Sequence, residues 1–166
     1  VLADVLMKLN YNISIAHCNF QLRGEESDAD ELFLHDFARS HNLPFYRVKF
    51  DTKDYKRNNE VSTQMAAREL RYKWFEQIRK ENHYHCIVTA HHLDDQLETV
   101  LLNMTKGTGI KGLSGMQPKT GFVVRPLLEV SKQEIMAYAN ENNIPFREDS
   151  SNSTDVYQRN LIRHQV

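Results

Sequence analysis

Two cysteines, Cys18 and Cys86, are all that the 166-residue chain contains. They are too few and too far apart for a disulfide scaffold or a zinc ribbon, which points to a reducing, cytoplasmic setting. Each lies in or beside an expected strand, where the reading is a small buried hydrophobe. No apolar run approaches the roughly 20 residues that a bilayer demands, and no signal peptide is visible, so no membrane partner is expected. An excess of either charge is also missing. Lys and Arg number 21 against 22 Asp and Glu, a formal net charge of -1. That excludes a strongly basic nucleic-acid binder working through bulk electrostatics, while a local basic site stays open. Glycine is scarce, and five of the six fall between Gly107 and Gly121, so one loop concentrates the unusual backbone demands.

What is present is a chain of ordinary globular composition, 40% hydrophobic and 26% charged, long enough for one domain with a real core. It opens without Met, in what reads as the middle of a helix from Val1 to Leu9, and the expectation is a fragment. Ile13 to His17 reads as a strand, followed by a helix from about Ser27 to Arg39. Ser27 is its expected N-cap, and Ala29, Phe33 and Phe37 are its apolar stripe. Phe45 to Phe50 alternates like a half-exposed edge strand. A long helix from Ser62 to Lys80 carries Ala67, Leu70, Trp74 and Ile78 at core spacing. Cys86 to Ala90 reads as a buried strand, with Leu93, Leu97, Val100, Leu101 and Met104 forming the apolar stripe of the next helix. Phe122 to Leu128 reads as a strand and Ser131 to Asn142 as a helix. This alternation implies an α/β domain, a parallel sheet with helices on both faces.

AHHLDDQLET, Ala90 to Thr99, is the most informative stretch, because it sits where a strand hands over to a helix. His91, Asp95 and Glu98 share one helix face opposite the leucines, and open α/β sheets place ligands beyond the strand ends. Such groups could hold a metal, steady phosphates or move a proton; a solvated helix start with acids favoured by the dipole is the alternative. In AHCNFQLRGEESDADE, His17, Asn19 and Arg23 lie just past a strand end, in reach of a base or phosphate, or else in a loop turned by Gly24. AARELRY sets Arg68 and Arg71 on adjacent turns, either facing a polyphosphate or forming an ordinary salt-bridged surface. The run Gly107-Thr108-Gly109-Ile110-Lys111-Gly112 has the spacing of a dinucleotide fingerprint but follows a helix, so it is rejected as a nicotinamide or flavin site. It stands as a crevice loop with Lys111 toward phosphate, or as a connector. The tail places Asp149, Ser151, Asn152, Arg159, Asn160 and Arg163 in a segment that either grips a ribose-phosphate backbone or is simply solvated.

Together with GTGIKGLSGM, VRPLLEVSKQEI and EDSSN followed by YQRN, these pieces resemble the N-terminal catalytic domain of the tRNA(Ile)-lysidine synthetase family, within the PP-loop ATP pyrophosphatase superfamily. They keep that family's order and span nearly the whole chain. The resemblance implies a Rossmann-like, adenine nucleotide alpha hydrolase-like fold, with residues 1–166 as a single partial PP-loop ATPase catalytic domain. It implies ATP and Mg2+ as cofactors, tRNA(Ile) and free L-lysine as partners, and leaves a homodimer open. ATP would adenylate the wobble cytidine and release pyrophosphate; the lysine amine would then displace AMP to leave lysidine. Carried onto this chain, His91 and Asp95 are the catalytic candidates, with Asp95 near the metal. Arg68 and Arg71 would meet the phosphates or the adenylated base. His17, Asn19, Arg23 and Lys111 would serve the nucleotide; Gly107, Gly109, Asn152, Arg159, Asn160 and Arg163 the tRNA.

The chain departs from that family in lacking the SGGxDS phosphate loop with its first strand, expected just upstream of Val1, and the C-terminal tRNA-binding domains. Phe20 stands where the family usually has a second histidine. As given, the chain is expected not to make lysidine. The absent strand belongs mid-sheet, between those at Ile13 and Cys86, so an exposed gap and poor solubility in isolation are expected. Cooperative unfolding of the isolated chain would count against that. Three alternatives remain: tRNA thiolation, for which the cysteine spacing is unsuited; a metal-dependent hydrolase built on His91, His92, Asp94, Asp95 and Glu98; and a non-catalytic nucleotide- or RNA-binding remnant.

Overall fold

The computed structural model describes residues 1–51, 61–105, 107–108 and 113–147. It is a mixed helix and strand structure that divides into two compact units, Ala3–His85 and Cys86–Val166 with Val1–Leu2.

The first unit runs α1 (Leu2–Lys8), β1 (Ile15–Asn19), α2 (Glu25–Ser40), β2 (Phe45–Lys49) and α3 (Thr63–Glu81). β1 and β2 pair in parallel, from Ile15 opposite Phe45 to Asn19 opposite Lys49, joined by the α2 crossover that packs on them. The expected N-cap at Ser27 moves. Gly24 (φ 53°, ψ -125°) takes a backbone conformation that side chains disfavour, and α2 starts directly after it. Ser27 is instead buried in the first turn, where its Oγ accepts the Arg23 N–H at 3.2 Å. The inward face of α2 is therefore Ser27, Glu31 and Ala38, with Phe33 and Phe37 only half-buried. α3 begins as its sequence implies, the Ser62 side chain accepting from the Met65 N–H, and it buries Ala66, Ala67 and Ile78.

Glycine's scarcity leaves its mark where helices end. Asn10, Asn42, His83 and Asn143 all have φ between 51° and 59°, the left-handed conformation that usually falls to glycine after a helix. In each case the next residue's N–H reaches back five positions: Tyr11 to Leu6, Leu43 to Ala38, Tyr84 to Arg79 and Ile144 to Ala139. The helices thus stop by the same hydrogen-bonded turn. The non-glycine residue costs about 1 kcal/mol each time, least for asparagine, whose short polar side chain suits it.

The second unit runs β3 (Ile87–Val88), α4 (Leu93–Thr105), β4 (Lys119–Thr120), β5 (Val123–Val124) and α5 (Lys132–Glu141). β3 is parallel to β5, and β4 is antiparallel to it across a turn at Gly121. Among the described residues the strands form two sheets, β1-β2 and β3-β5-β4. The parallel expectation thus holds for both crossover pairs, whereas the β4–β5 hairpin is an addition. Two strand expectations shrink. β3 is two half-buried residues beside an exposed Cys86, so neither a buried strand nor a buried thiol forms there. The strand expected over Phe122 to Leu128 ends at Val124; the Arg125 N–H still bonds Pro118 O in line with the hairpin, and then the Leu128 N–H bonds Arg125 O in a turn.

The largest correction concerns α4. Leu93, Leu97 and Met104 do share a face, but that face is exposed, whereas Glu98 is only 6% accessible. Periodicity grouped the residues correctly, but only Val100 and Leu101 of the expected stripe are half-buried, and Glu98 of the expected polar face is the buried residue. Among the described residues, no helix is long and apolar enough to cross a membrane.

Candidate functional site

At the exit of β3 the chain passes through Thr89 to His92 and enters α4. His91 Nδ1 lies 2.9 Å from Thr89 Oγ1. Asp95 Oδ2 accepts the His92 backbone N–H at 3.0 Å, a carboxylate closing the first turn of its own helix. The His92 ring sits between two acids, with Nδ1 3.4 Å from Asp94 Oδ2 and Nε2 3.5 Å from Asp95 Oδ2. Both distances exceed those of a well-formed hydrogen bond. The same Asp94 Oδ2 accepts the Lys132 N–H at 2.9 Å, at the start of α5, and that is its shorter contact. That bond holds the Asp94 carboxyl below its ordinary range, despite partial burial. The Leu93 N–H bonds Val130 O at 2.9 Å, so the starts of α4 and α5 are latched together. Ser131 and Glu134 complete a capping box on α5. One turn on, Gln96 makes two bonds to the Met116 backbone. Gly115 leaves the room this needs, since a Cβ there would stand 2.7 Å from the Gln96 amide.

The exit of β1 gathers a second group. Asn19, 1% accessible, donates to Asp28 Oδ1 at 2.9 Å and Glu31 Oε2 at 3.0 Å, and accepts from the Gln21 N–H at 2.9 Å. It builds the turn from strand to helix. Arg23 is ion-paired with Asp30 at 2.7 Å. The side chains of Asn19 and Arg23 are therefore engaged within the fold. A cleft of about 340 Å³ lined by Asp28, Glu31, His35, Arg47 and Lys49 is likewise paired internally, Arg47 with Glu31 and Lys49 with Asp28, both at 2.8 Å. His17 differs. Its buried Nε2 lacks a hydrogen-bond partner among the described residues, and burial lowers its pKa, which keeps the ring neutral near pH 7. Burial also pushes the Cys18 thiol up to about 12, so it is no thiolate nucleophile at neutral pH. Arg71, from α3, sits with its guanidinium carbon 5.3 Å from the centre of the Phe20 ring, and Phe20 stacks on Phe50 at 5.7 Å. Arg68, one turn earlier, lies over Tyr72 at 4.9 Å.

His91 and Asp95 stand at the exit of β3; at β1, Asn19 is the last strand residue, His17 lies within the strand and not past its end as expected, and Arg71, on α3, meets Phe20 just beyond it. Gly107 is described and exposed, with φ 65°. Gly109, Lys111, Asn152, Arg159, Asn160 and Arg163 lie outside the described residues. Sequence reasoning passed over His92 as a partner of Asp95, since spacing cannot rank two adjacent imidazoles. It also passed over Arg125 in VRPLL, 7% accessible, whose Nη1 donates to Gln117 O at 2.8 Å and whose buried Nε has no partner among the described residues. Its polar partners come from the hairpin, which no sequence signal announced. Among the described residues, no three His, Cys, Asp or Glu side chains are grouped to hold a metal ion. The ligand set that the hydrolase alternative needs is thus not assembled there.

A family model described as a PP-loop domain matches residues 1–166. The chain is 48% identical over 165 residues to a tRNA(Ile)-lysidine synthase of Parabacteroides distasonis, covering 99% of the chain and 38% of that relative. It is 45% identical over 162 residues to one from Bacteroides thetaiotaomicron (98% and 38%), and 43% identical over 155 residues to one from Bacillus licheniformis (91% and 33%). The chain spans between about a third and about half of the length of the relatives it matches.

Proposed function

From this chain's membership of the PP-loop domain family, we propose that it is the ATP-using catalytic domain of a tRNA(Ile)-lysidine synthase. The wobble cytidine of tRNA(Ile) is adenylated by ATP with release of pyrophosphate, and the amine of free lysine then displaces AMP. The work is cytoplasmic. The observation that carries this reading is likeness to tRNA(Ile)-lysidine synthases over almost every residue of the chain. The geometry supports it by setting ionisable groups at two strand exits, where open α/β sheets bind ligands.

The donor set suits Mg2+ brought in with nucleotide. That ion commonly binds through one or two carboxylates plus phosphate oxygens, without a cage of protein ligands. Asp95 would hold it, and the ion would supply Lewis-acid neutralisation of phosphate charge. His92 and the α4 backbone steady the Asp95 carboxylate, while Asp94 holds α5 in place. Arg71, and beside it Arg68, offer guanidinium edges to phosphate oxygens or to the departing AMP. The reading includes a strand and phosphate loop supplied by residues other than these. Among the described residues β1 pairs only with β2, and β3 only with β5, which leaves an edge for such a strand. A homodimer is compatible with this scheme and not required by it.

The test uses the native protein with ATP, Mg2+ and an isoleucine tRNA. Pyrophosphate release should require the tRNA, and AMP release should require added lysine. Hydrolysis of a substrate without ATP, dependent on a stoichiometric transition metal, would overturn the reading in favour of the hydrolase.

A further inference from the structure

The cations near the exit of β1 are mostly neutralised. Arg23 faces Asp30, Arg47 faces Glu31, and Lys49 faces Asp28, each within 2.8 Å. Arg79, further along α3, faces Glu76 at 2.7 Å. Arg71 has no such carboxylate among the described residues. What it has is a ring: its guanidinium carbon lies 5.3 Å from the centre of Phe20. Phe20 is itself stacked with the Phe50 ring at 5.7 Å and an interplanar angle of 20°. The two rings come from the segments just past β1 and β2, and the cation from α3. Phe20 directly follows β1, so this contact sets the Arg71 guanidinium beside the end of that strand.

A guanidinium lying against a ring keeps its N–H groups for other partners, because the attraction runs through the ring face. The contact restricts a long flexible side chain without consuming its hydrogen-bonding capacity. A carboxylate partner would do the opposite. We propose that Phe20, stacked with Phe50, is a positioning residue for Arg71, holding its guanidinium at the end of β1 so that its N–H edges are presented to an anionic oxygen of the substrate. This rests on the reading above, in which Arg71 meets a phosphate of ATP or of the adenylated tRNA. It adds how this chain aims that cation, using an aromatic ring at position 20.

A double-mutant cycle in the native protein tests it, with steady-state pyrophosphate release measured against ATP and against tRNA. Arg71→Lys keeps the charge and loses the plane; it should raise one of the two KM values, and the coupling is read on that one. Phe20→Leu should raise the same KM roughly two- to fivefold, the size of an exposed cation–π contact. In the Arg71→Lys background, Phe20→Leu should have a smaller effect, because an ammonium is still drawn to the ring but has no planar N–H edge for the ring to aim. Phe20→Tyr, which keeps the ring, should behave as the unsubstituted protein. Phe50→Leu, which leaves Phe20 in place, should act in the same direction as Phe20→Leu and less strongly. If Phe20→Leu costs as much with Lys at 71 as with Arg, the ring is only packing, and the proposal fails. It fails equally if Arg71→Lys impairs the enzyme and Phe20→Leu does not. If Arg71→Lys itself leaves both KM values and the turnover unchanged, the phosphate role of Arg71 falls, and the positioning role falls with it.

Discussion

Asp95→Asn should abolish adenylation while leaving tRNA binding largely intact. The expected fall in pyrophosphate release is on the order of a hundred- to a thousandfold, the scale seen when one preorganised charge-stabilising group is lost. Asparagine has nearly the same shape as aspartate, and its side-chain oxygen can still accept the His92 N–H that Asp95 Oδ2 takes at 3.0 Å. The first turn of α4 should therefore persist, since Asp95 is its third residue and an amide oxygen there can still take the N–H of the residue before the helix. What disappears is the negative charge, and with it the ability to draw Mg2+ toward the phosphates. Asp94→Asn is the matched control. Its carboxylate is turned to the Lys132 N–H, so the same chemical change one residue earlier should barely touch turnover. Pyrophosphate release and filter binding of labelled tRNA report the two quantities separately. Unchanged turnover in Asp95→Asn would remove Asp95 from the catalytic residues.

The largest stability effect is expected at Asn19. Asn19→Ala strips a hydrogen-bond donor from Glu31, a carboxylate only 6% accessible, and an acceptor from the Gln21 N–H. Leaving a buried charge short of a partner is expensive, and a loss of about 2–4 kcal/mol is expected, read by urea unfolding. The pH dependence identifies the cause. Burial alone would raise the pKa of Glu31, but hydrogen bonds from Asn19 and Arg47 outweigh it and hold the carboxyl below its ordinary value. A depressed folded value stabilises the protein above the unfolded carboxylate pKa of about 4.3, and that contribution is lost as pH falls through the folded value. Without the Asn19 amide, the Glu31 pKa rises toward the unfolded one. The deficit of Asn19→Ala relative to the unsubstituted chain should thus be full at pH 7 and narrow in strong acid. Equal deficits at both ends would mean that Asn19 acts only by packing.

Much of this architecture can be read from local chemistry. Ser62 and Ser131 announce their helices because a hydroxyl before an N–H-rich first turn has one obvious partner. The alternation of Phe45 to Lys49 fits an edge strand, and it is one. The expectation for α4 failed for a reason of principle. A repeat of 3.6 tells which residues share a face and not which face turns inward. Here Asp94 and Gln96 are bonded to the α5 start and the Met116 backbone, and Glu98 is buried while Leu97 stays wet. β4 was invisible because two exposed residues, Lys119 and Thr120, carry no pattern. The strand-to-helix handover that carries His91 and Asp95 was legible in the sequence, and α4 does begin there. The Phe20–Arg71 pairing was not, since those residues stand 51 positions apart in the chain and meet only in the fold.

The latch between α4 and α5 sets an unusual rule for position 132. Lysine there contributes its backbone, and the bond to Asp94 asks nothing of the ammonium group. Many side chains would be interchangeable at that point, with proline the exception. The opening position of a helix is ordinarily where proline is most welcome, because the N–H it lacks would go unused. In this chain that N–H is what fastens two helix beginnings together, so the residue that helix statistics favour most at 132 is the one the fold excludes.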